Sequence, residues 1–599
     1  MLKVLKQVFG FDRFRAGQEE PISTLLNGNN VFCVMPTGAG KSLIFQIPAL
    51  IGHGLTIVVS PLIALMQDQV SALKLLGVEA EVLNSTLTPE QNDEVWGKVR
   101  CGQTRLLYLA PERLMSGGTL QTLKNFDIKL IAIDEAHCIS QWGPSFRPEY
   151  EKLTDLKQHF PNIPIAALTA SADEATRNDI ALKLFDGDVT TYVSGFDRPN
   201  ITLSVEPKAG WKRQLVSFVN QHKDCSGIVY CLSRKKTQEA AQLLCDEGFT
   251  ALAYHAGMSK EARQENQARF VKDQNIIMTA TVAFGMGIDK PDVRFVFHTD
   301  LPSSMEAYYQ EFGRAGRDGE PAFAHMLFGL DDLRTRRQFI EQDAREDVLK
   351  RREHKRLDSL VAYCEAPTCR RQFLLAYFSD KSEPCNNCDV CLNPIDLVEG
   401  TREGQMALSA IARTGQRFGP AHIVDILVGA NTARLRELSH DKLPTWGVGA
   451  AHNKQQWRSI MRQLVAAQFI HLDIAEYGGL SITQSGRDLL KGDARFSFRP
   501  MPKSSKTDPL RKRPAMVDVN FDEAQTALYK SLQEKRAELA SEKGVPAYFI
   551  FNDKTLRDMV AKHPTTLDQF SDVHGVGAAK LEQFGATFIS IINASQGTE

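Results

Sequence analysis

The residues Met35-Pro36-Thr37-Gly38-Ala39-Gly40-Lys41-Ser42 follow the apolar run Val31-Phe32-Cys33-Val34 and lead into Leu43-Ile44-Phe45. A buried strand, a Gly-rich turn and a helix start form a phosphate cradle. The turn's N–H groups and the helix N-terminus point at the phosphates. Gly38 and Gly40, lacking Cβ atoms, allow close approach, and Thr37 completes the turn. Lys41 is placed to neutralise β- and γ-phosphates, and the Ser42 hydroxyl to hold Mg²⁺. Met35 stands where the strict pattern has Gly, so this is the relaxed Thr-Gly-x-Gly-Lys-Ser form.

A second chemistry-bearing run is Leu130-Ile131-Ala132-Ile133 followed by Asp134-Glu135-Ala136-His137. An apolar strand ending in two carboxylates can hold Mg²⁺ through water with one and orient an attacking water with the other. Asp134 is read as the metal group and Glu135 as the water group, with His137 linking the site to its neighbours. A buried Asp-Glu pair without such a task would be costly to desolvate. Much further along, Tyr308 to Gly319 carries Arg314 and Arg317 on a Gly-bearing segment. Guanidinium charge supplied there to a γ-phosphate acts as an arginine finger, and Arg317 is the expected finger with Arg314 beside it. Upstream of the cradle, an aromatic, an arginine and a glutamine within residues 9–18 can stack on and hydrogen-bond a nucleobase; a helix N-terminus with Phe packed in the core is the alternative.

Trp142, Phe146 and Arg147 lie in a stretch with Gly143, Pro144 and Pro148. Aromatic faces with arginine on an exposed loop suit the stacking of single strands; a small satellite hydrophobic cluster is the alternative. Cys369 precedes Cys385-Asn386-Asn387-Cys388-Asp389-Val390-Cys391, giving four thiolates for a closed tetrahedral zinc. The same spacing resembles part of an iron–sulfur ligand set. Cys364 is assigned to a core.

These residues need elements to hold them. Apolar runs alternating with helical segments predict parallel α/β sheets, with ligands at the carboxyl ends of the strands. The pattern occurs twice, over residues 1–203 and again over 204–337. A helical module, 338–400, carries the cysteines. Residues 401–498 read as short helices (406–414 and 423–428), a recognition helix (455–467) and a two-stranded wing, a winged helix that docks on duplex DNA. Arg434, Arg436, Lys442, Lys454 and Arg458 are its expected phosphate contacts. A Pro- and Lys-rich linker, 499–519, leads to an all-α region, 520–599. There the Gly-bearing hairpin 573–580 is expected to offer N–H groups to a phosphate.

At 599 residues the chain needs several cores. With 43% hydrophobic residues, 24% charged and a net charge of −1, contact with nucleic acid must come from local basic patches. No apolar run of about 18 residues appears, so neither a spanning helix nor a membrane partner is expected. Five of the 11 cysteines crowd between Cys364 and Cys391, which is metal spacing in a reducing compartment. The expected location is the cytoplasm, in association with the nucleoid.

The phosphate cradle, the Asp-Glu-Ala-His run, the 140–150 loop and the 310–319 segment together resemble superfamily 2 helicases, and specifically the RecQ family of DNA helicases. The likeness extends in order over nearly the whole chain. It implies two RecA-like lobes that close on ATP, a zinc module, a winged helix and a helicase-and-RNaseD C-terminal domain. It further implies 3′ to 5′ movement on single-stranded DNA and unwinding of duplexes in repair and recombination. ATP, Mg²⁺ and Zn²⁺ are the implied cofactors, and single-strand-binding or recombination proteins the implied partners besides DNA. Phe11, Arg15 and Gln18 would lie on the adenine side.

Pro144 and Ser145 replace a His-Asp pair in the family's aromatic loop, Phe312 a Thr, and Ala39 a Gly. The replaced His-Asp pair couples DNA binding to hydrolysis, so retained ATP binding with altered DNA stimulation is expected. Two further readings stand beside helicase: a DNA-dependent ATPase or translocase that separates strands weakly, and a non-catalytic DNA-binding scaffold. Intact Lys41, Asp134, Glu135 and Arg317 weigh against the scaffold.

Overall fold

Val-Phe-Cys-Val at 31–34 and Leu-Thr-Ile-Val-Val at 55–59 are apolar on both faces, and every one of these residues is buried. Strands of that kind belong inside parallel sheets covered by helices on both sides. A computed structural model describes residues 1–595 apart from 37, 85–86, 141–146, 171, 173, 285–289, 344–346, 379, 381, 395, 473–478 and 501–520. Among the described residues the first sheet comprises β1 (Val31–Val34), β2 (Leu55–Val59), β3 (Ala80–Leu83), β4 (Leu106–Leu109), β5 (Ile128–Ile133), β6 (Ile165–Thr169) and β7 (Thr190–Val193). Its order is β3-β4-β2-β5-β6-β1-β7, with parallel pairing throughout.

The second sheet holds β8 (Ile201–Pro207), β9 (Ser226–Tyr230), β10 (Ala251–Tyr254), β11 (Ile277–Ala280), β12 (Val293–His298) and β13 (Ala322–Phe328). It is again parallel, in the order β10-β11-β9-β12-β13-β8. The chain crosses from one sheet to the other between Val193 and Ile201, slightly earlier than the change of pattern at 203 suggests. Ile201 and Leu203, both buried, alternate with Thr202 and Ser204 at the two-residue period of a half-buried edge strand.

The helices Asp347–Glu365 and Arg370–Tyr377 form the next module, with Leu357, Leu360, Tyr363, Leu374 and Leu375 buried. Beyond it the helices Thr401–Arg413, Pro420–Leu427 and Lys454–Ala466 pack around Trp457, which is 0% exposed. A short hairpin, β15 (Ile470–Leu472) with β16 (Leu480–Ile482), forms the wing, and β14 (Val398–Glu399) pairs with β17 (Ser497–Phe498) to close the body. The expected recognition helix is largely internal. Ile460, Met461, Leu464 and Val465 are buried, Arg462 pairs with Glu365 at 2.7 Å, and only its N-terminal part, with Lys454, Gln455 and Arg458, is exposed. Its apolar face packs inward and Arg462 reaches the preceding module, while the face carrying Lys454, Gln455 and Arg458 stays exposed.

The C-terminal helices Glu523–Lys543, Asp553–Lys562, Leu567–Ser571 and Ala578–Ser595 enclose Leu532, Phe551, Phe570, Phe584 and Phe588. Asn552 caps the second of these, accepting the Thr555 N–H at 2.8 Å. The hairpin 573–580, expected to meet DNA phosphate, packs on the first lobe. The Gly575 N–H donates to the Gly10 carbonyl at 3.0 Å, and a Cβ on Gly577 would overlap the Val8 carbonyl. Its glycines permit close backbone approach, as read, but to protein and not to a phosphate. The linker 501–520 lies outside the described residues, and among those described no helix is long and apolar enough to cross a membrane.

Candidate active site and metal centre

β1 delivers the Gly-rich turn at its carboxyl end, and the helix Leu43–Ile51 leaves it. Gly38 and Gly40 have φ of 83° and 81°, a left-handed conformation that side-chain-bearing residues rarely adopt. The loop is held from outside. Gln18, 1% exposed, donates through Nε2 to the carbonyls of Ala39 and Gly40 at 3.0 Å each, and Arg15 donates to the Gly38 carbonyl at 2.5 Å. Gln18 and Arg15 therefore shape the cradle. Lys41 donates to the Met35 carbonyl at 3.1 Å, which keeps its ammonium over the loop.

β5 lies beside β2 and β6, and its end brings Asp134 and Glu135 to the same edge as the cradle. The Asp134 N–H extends the ladder to Val59, and its carboxylate accepts the Glu135 N–H at 3.0 Å. Glu135 has φ 52°, a costly conformation for this residue type and one that turns the chain sharply at the site. His137 Nδ1 lies 3.2 Å from Glu135 Oε2 and 2.8 Å from Thr169 Oγ1. It joins the ends of β5 and β6. Burial, followed by the neighbouring charge of Glu135, pushes the Asp134 carboxyl up to about 7. Burial also opposes ionisation of Glu135, but its contact with His137 outweighs this and holds Glu135 at about 2. Two adjacent carboxylates are thus driven apart in acidity.

Across the cleft, the segment after the helix Met305–Phe312 brings Arg314 and Arg317 to the first lobe. A Cβ built on Gly38 would lie 3.5 Å from Arg317 Cα, so the two lobes meet at the cradle itself. The cleft between them measures about 1230 Å³ and takes in Phe11, Ser42, Asp134, Glu135, Arg314 and Arg317. Thr37, Trp142, Pro144, Ser145 and Phe146 lie outside the described residues. Arg147 is described and donates to the Pro61 carbonyl at 3.3 Å, tying the aromatic loop's exit to the end of β2.

The four cysteines come together as spaced: the Sγ atoms of Cys369, Cys385, Cys388 and Cys391 lie within 4.8 Å of one another. A tetrahedral zinc with bonds of about 2.3 Å needs sulfurs roughly 3.8 Å apart, which this cluster fits after slight contraction. Backbone N–H groups of Cys385, Asn387 and Cys391 donate to the sulfurs of Cys369, Cys385 and Cys388 at 3.3–3.4 Å, as suits thiolate ligands. Cys364 is buried in the core, apart from this set.

Sequence reasoning missed two groups at the cleft. Tyr548, Asn552, Lys554 and His574 of the C-terminal domain line it, because that domain sits on the Phe9–Phe14 side of the first lobe. Arg198 and Asn200, between the sheets, bind the arginine-bearing segment. The only sequence signal for the second pair is an Asp-Arg-Pro-Asn run at the change of pattern; for the first there is none.

Comparison with known proteins follows this division of the chain. The model for the DEAD/DEAH box helicase matches residues 15–180, and that for the helicase conserved C-terminal domain matches 211–319. RecQ zinc-binding covers 330–392, the RQC domain 394–507 and the HRDC domain 525–592. The ATP-dependent DNA helicase RecQ of Haemophilus influenzae is 43% identical over 99% of this chain and 95% of its own length. That of Bacillus subtilis is 36% identical over 99% and 98%. With the zinc-binding match and the four-cysteine cluster, zinc is the metal, not an iron–sulfur centre. The chain belongs to the RecQ family of ATP-dependent DNA helicases.

Proposed function

We propose that the chain hydrolyses ATP between its two lobes, moves 3′ to 5′ along single-stranded DNA and unwinds duplexes ahead of it, in DNA repair and recombination. Lys41 and the Gly38–Gly40 backbone hold the β- and γ-phosphates, and Phe11, Arg15 and Gln18 border the base. Ser42, through its hydroxyl, and Asp134 would hold Mg²⁺, which would supply charge neutralisation at the phosphates. Glu135, kept ionised beside His137, orients the attacking water. Arg317, with Arg314, stabilises charge on the transferring phosphoryl group.

The observation that carries this reading is the approach of Arg317 to Gly38 across the cleft, which puts a guanidinium-bearing segment of one lobe on the phosphate loop of the other. His137 bridging Glu135 and Thr169 supplies a route by which the nucleotide's state reaches the DNA side. Single-strand-binding and recombination proteins are the partners this activity calls for, and the nucleoid its place of work.

The test is steady-state ATP hydrolysis without DNA, with single strands and with blunt duplex, paired with unwinding of a 3′-tailed duplex. Stimulation by single strands together with unwinding is expected. DNA-indifferent turnover would reduce the protein to an uncoupled ATPase, and ATP binding without turnover would favour a scaffold. Lys41→Ala should abolish hydrolysis while leaving DNA affinity within about twofold, since only phosphate contacts are lost.

A further inference from the structure

The eight residues from Val193 to Asn200 carry the chain from the first sheet to the second, and they do more than connect. Arg198 Nη1 donates to the Gly313 carbonyl at 3.0 Å, and its Nη2 donates to Ala315 and Gly316 at 2.8 and 2.9 Å. Asn200 Nδ2 donates to Gly316 and Glu320 at 2.9 and 2.8 Å, and the Asn200 carbonyl accepts the Ala322 N–H at 2.9 Å. Gly316, with φ 56°, leaves no room for a side chain against Asn200. Two crossing residues thus grip the backbone on both sides of Arg314 and up to Arg317.

The other side of the crossing is anchored. The Phe196 N–H donates to Asp380 at 3.1 Å, and its ring stacks on Phe378 with centroids 4.5 Å apart. Arg371 pairs with Asp197 at 2.6 Å and donates to the Ile201 carbonyl at 2.6 Å. The crossing therefore cannot drift freely when the lobes move. Arg198 also lies next to the phosphate loop, its Nη1 being 3.6 Å from the Cβ position of Gly38.

We propose that Arg198 is a positioning residue for hydrolysis: its fork of donors fixes the 313–316 backbone so that Arg314 and Arg317 face the γ-phosphate. This rests on the assignment of Arg317 as the finger. A planar guanidinium can serve three carbonyls at once, whereas an ammonium on a flexible stem cannot hold the same geometry. Arg198 acts through the finger and not on the nucleotide.

Four full-length proteins test this: Arg198→Ala, Arg198→Lys, Arg317→Ala and the Arg198→Ala/Arg317→Ala double variant. Single-strand-stimulated hydrolysis gives kcat and KM, a fluorescent ATP analogue gives binding, and thermal melting checks the fold. Arg198→Ala is expected to lower kcat by about tenfold or more, with ATP KM and analogue binding within about twofold. Arg198→Lys should behave like the alanine variant, and the double variant should be no slower than Arg317→Ala alone. Independent, multiplicative losses, or full rescue by lysine, would overturn the proposal, the latter because charge alone would then suffice. Unchanged kcat in Arg198→Ala would overturn it as well. If Arg198→Ala melts early, the folded lysine variant decides the matter by the same kcat comparison. Normal turnover in Arg317→Ala would instead sink the finger assignment, whatever Arg198 does.

Discussion

The ring of Phe11 lies 5.3 Å from the imidazole of His574, tilted by 39°, so an aromatic lining the cleft, the one proposed to border the base, meets the C-terminal domain. Beside this contact the Gly575 N–H reaches the Gly10 carbonyl, and Arg557 pairs with Glu320 of the second lobe. The domain touches both halves of the motor. A hairpin held in this way cannot offer the same N–H group to DNA.

Close backbone packing predicts that size alone at Gly577 undocks the domain. A Cβ there would meet the Val8 and Gln7 carbonyls, yet Gly577 has no left-handed φ that its own hairpin requires. Gly577→Leu should leave the C-terminal helices folded while enlarging the particle in small-angle scattering. A scattering curve unchanged from the parent would show that this contact does not hold the domain.

The pairing of Arg557 with Glu320 predicts mutual rescue. Each side chain is partly exposed, at 30% and 24%, so the coupling should be about 0.2–1 kcal/mol. Glu320→Arg and Arg557→Glu should each loosen docking, and the double exchange should restore it, as read by energy transfer between dyes on lobe and domain. Additive losses in the double variant would assign the effect to something other than the pair.

Docking should also weaken in acid. Burial, and then the charge of Lys554, hold His574 below its ordinary 6.5, with Asp558 and Asp12 opposing and Arg15 adding to the effect. A base depressed in the docked state takes up its proton more readily when undocked. Lys554 and Asp558 belong to the same domain and stay with His574 on undocking, so the docking-dependent lowering comes from burial against the first lobe and from Arg15. Docking is unaffected while both states are neutral and is progressively lost as the pH falls through the undocked domain's value. Dye-to-dye transfer measured from pH 8 to 5 (about one proton's dependence) should fall in the parent and stay flat in His574→Phe. A parent signal that is level across this range would refute the idea.

Zinc should be a folding element. Cys388 is fully buried and its sulfur accepts the Cys391 N–H, so Cys388→Ala should lose zinc by elemental analysis and melt earlier. Cys364→Ala, made in the core outside the cluster, should lose some stability as a small cavity but keep one zinc. Zinc retained in the first variant, or lost in the second, would contradict the ligand set.

Much of the chemistry was legible because it is local. The turn at 35–42 needs glycine at two left-handed positions, the carboxylates end an apolar strand, and the cysteines are spaced for one metal; backbone geometry over a few residues dictates each. The two parallel sheets were legible for the same reason, since strands buried on both faces must be apolar throughout. Only the tertiary structure decided what the exposed faces meet. It set Arg462 of the helix Lys454–Ala466 against Glu365, seated the 573–580 hairpin on Gly10, and set Arg198 under the carbonyls of Gly313, Ala315 and Gly316. Amphipathic periodicity and glycine spacing say that a surface can be covered closely. Which distant segment covers it depends on shape and polar complementarity between parts from about a hundred to several hundred residues apart, and no local pattern carries that information.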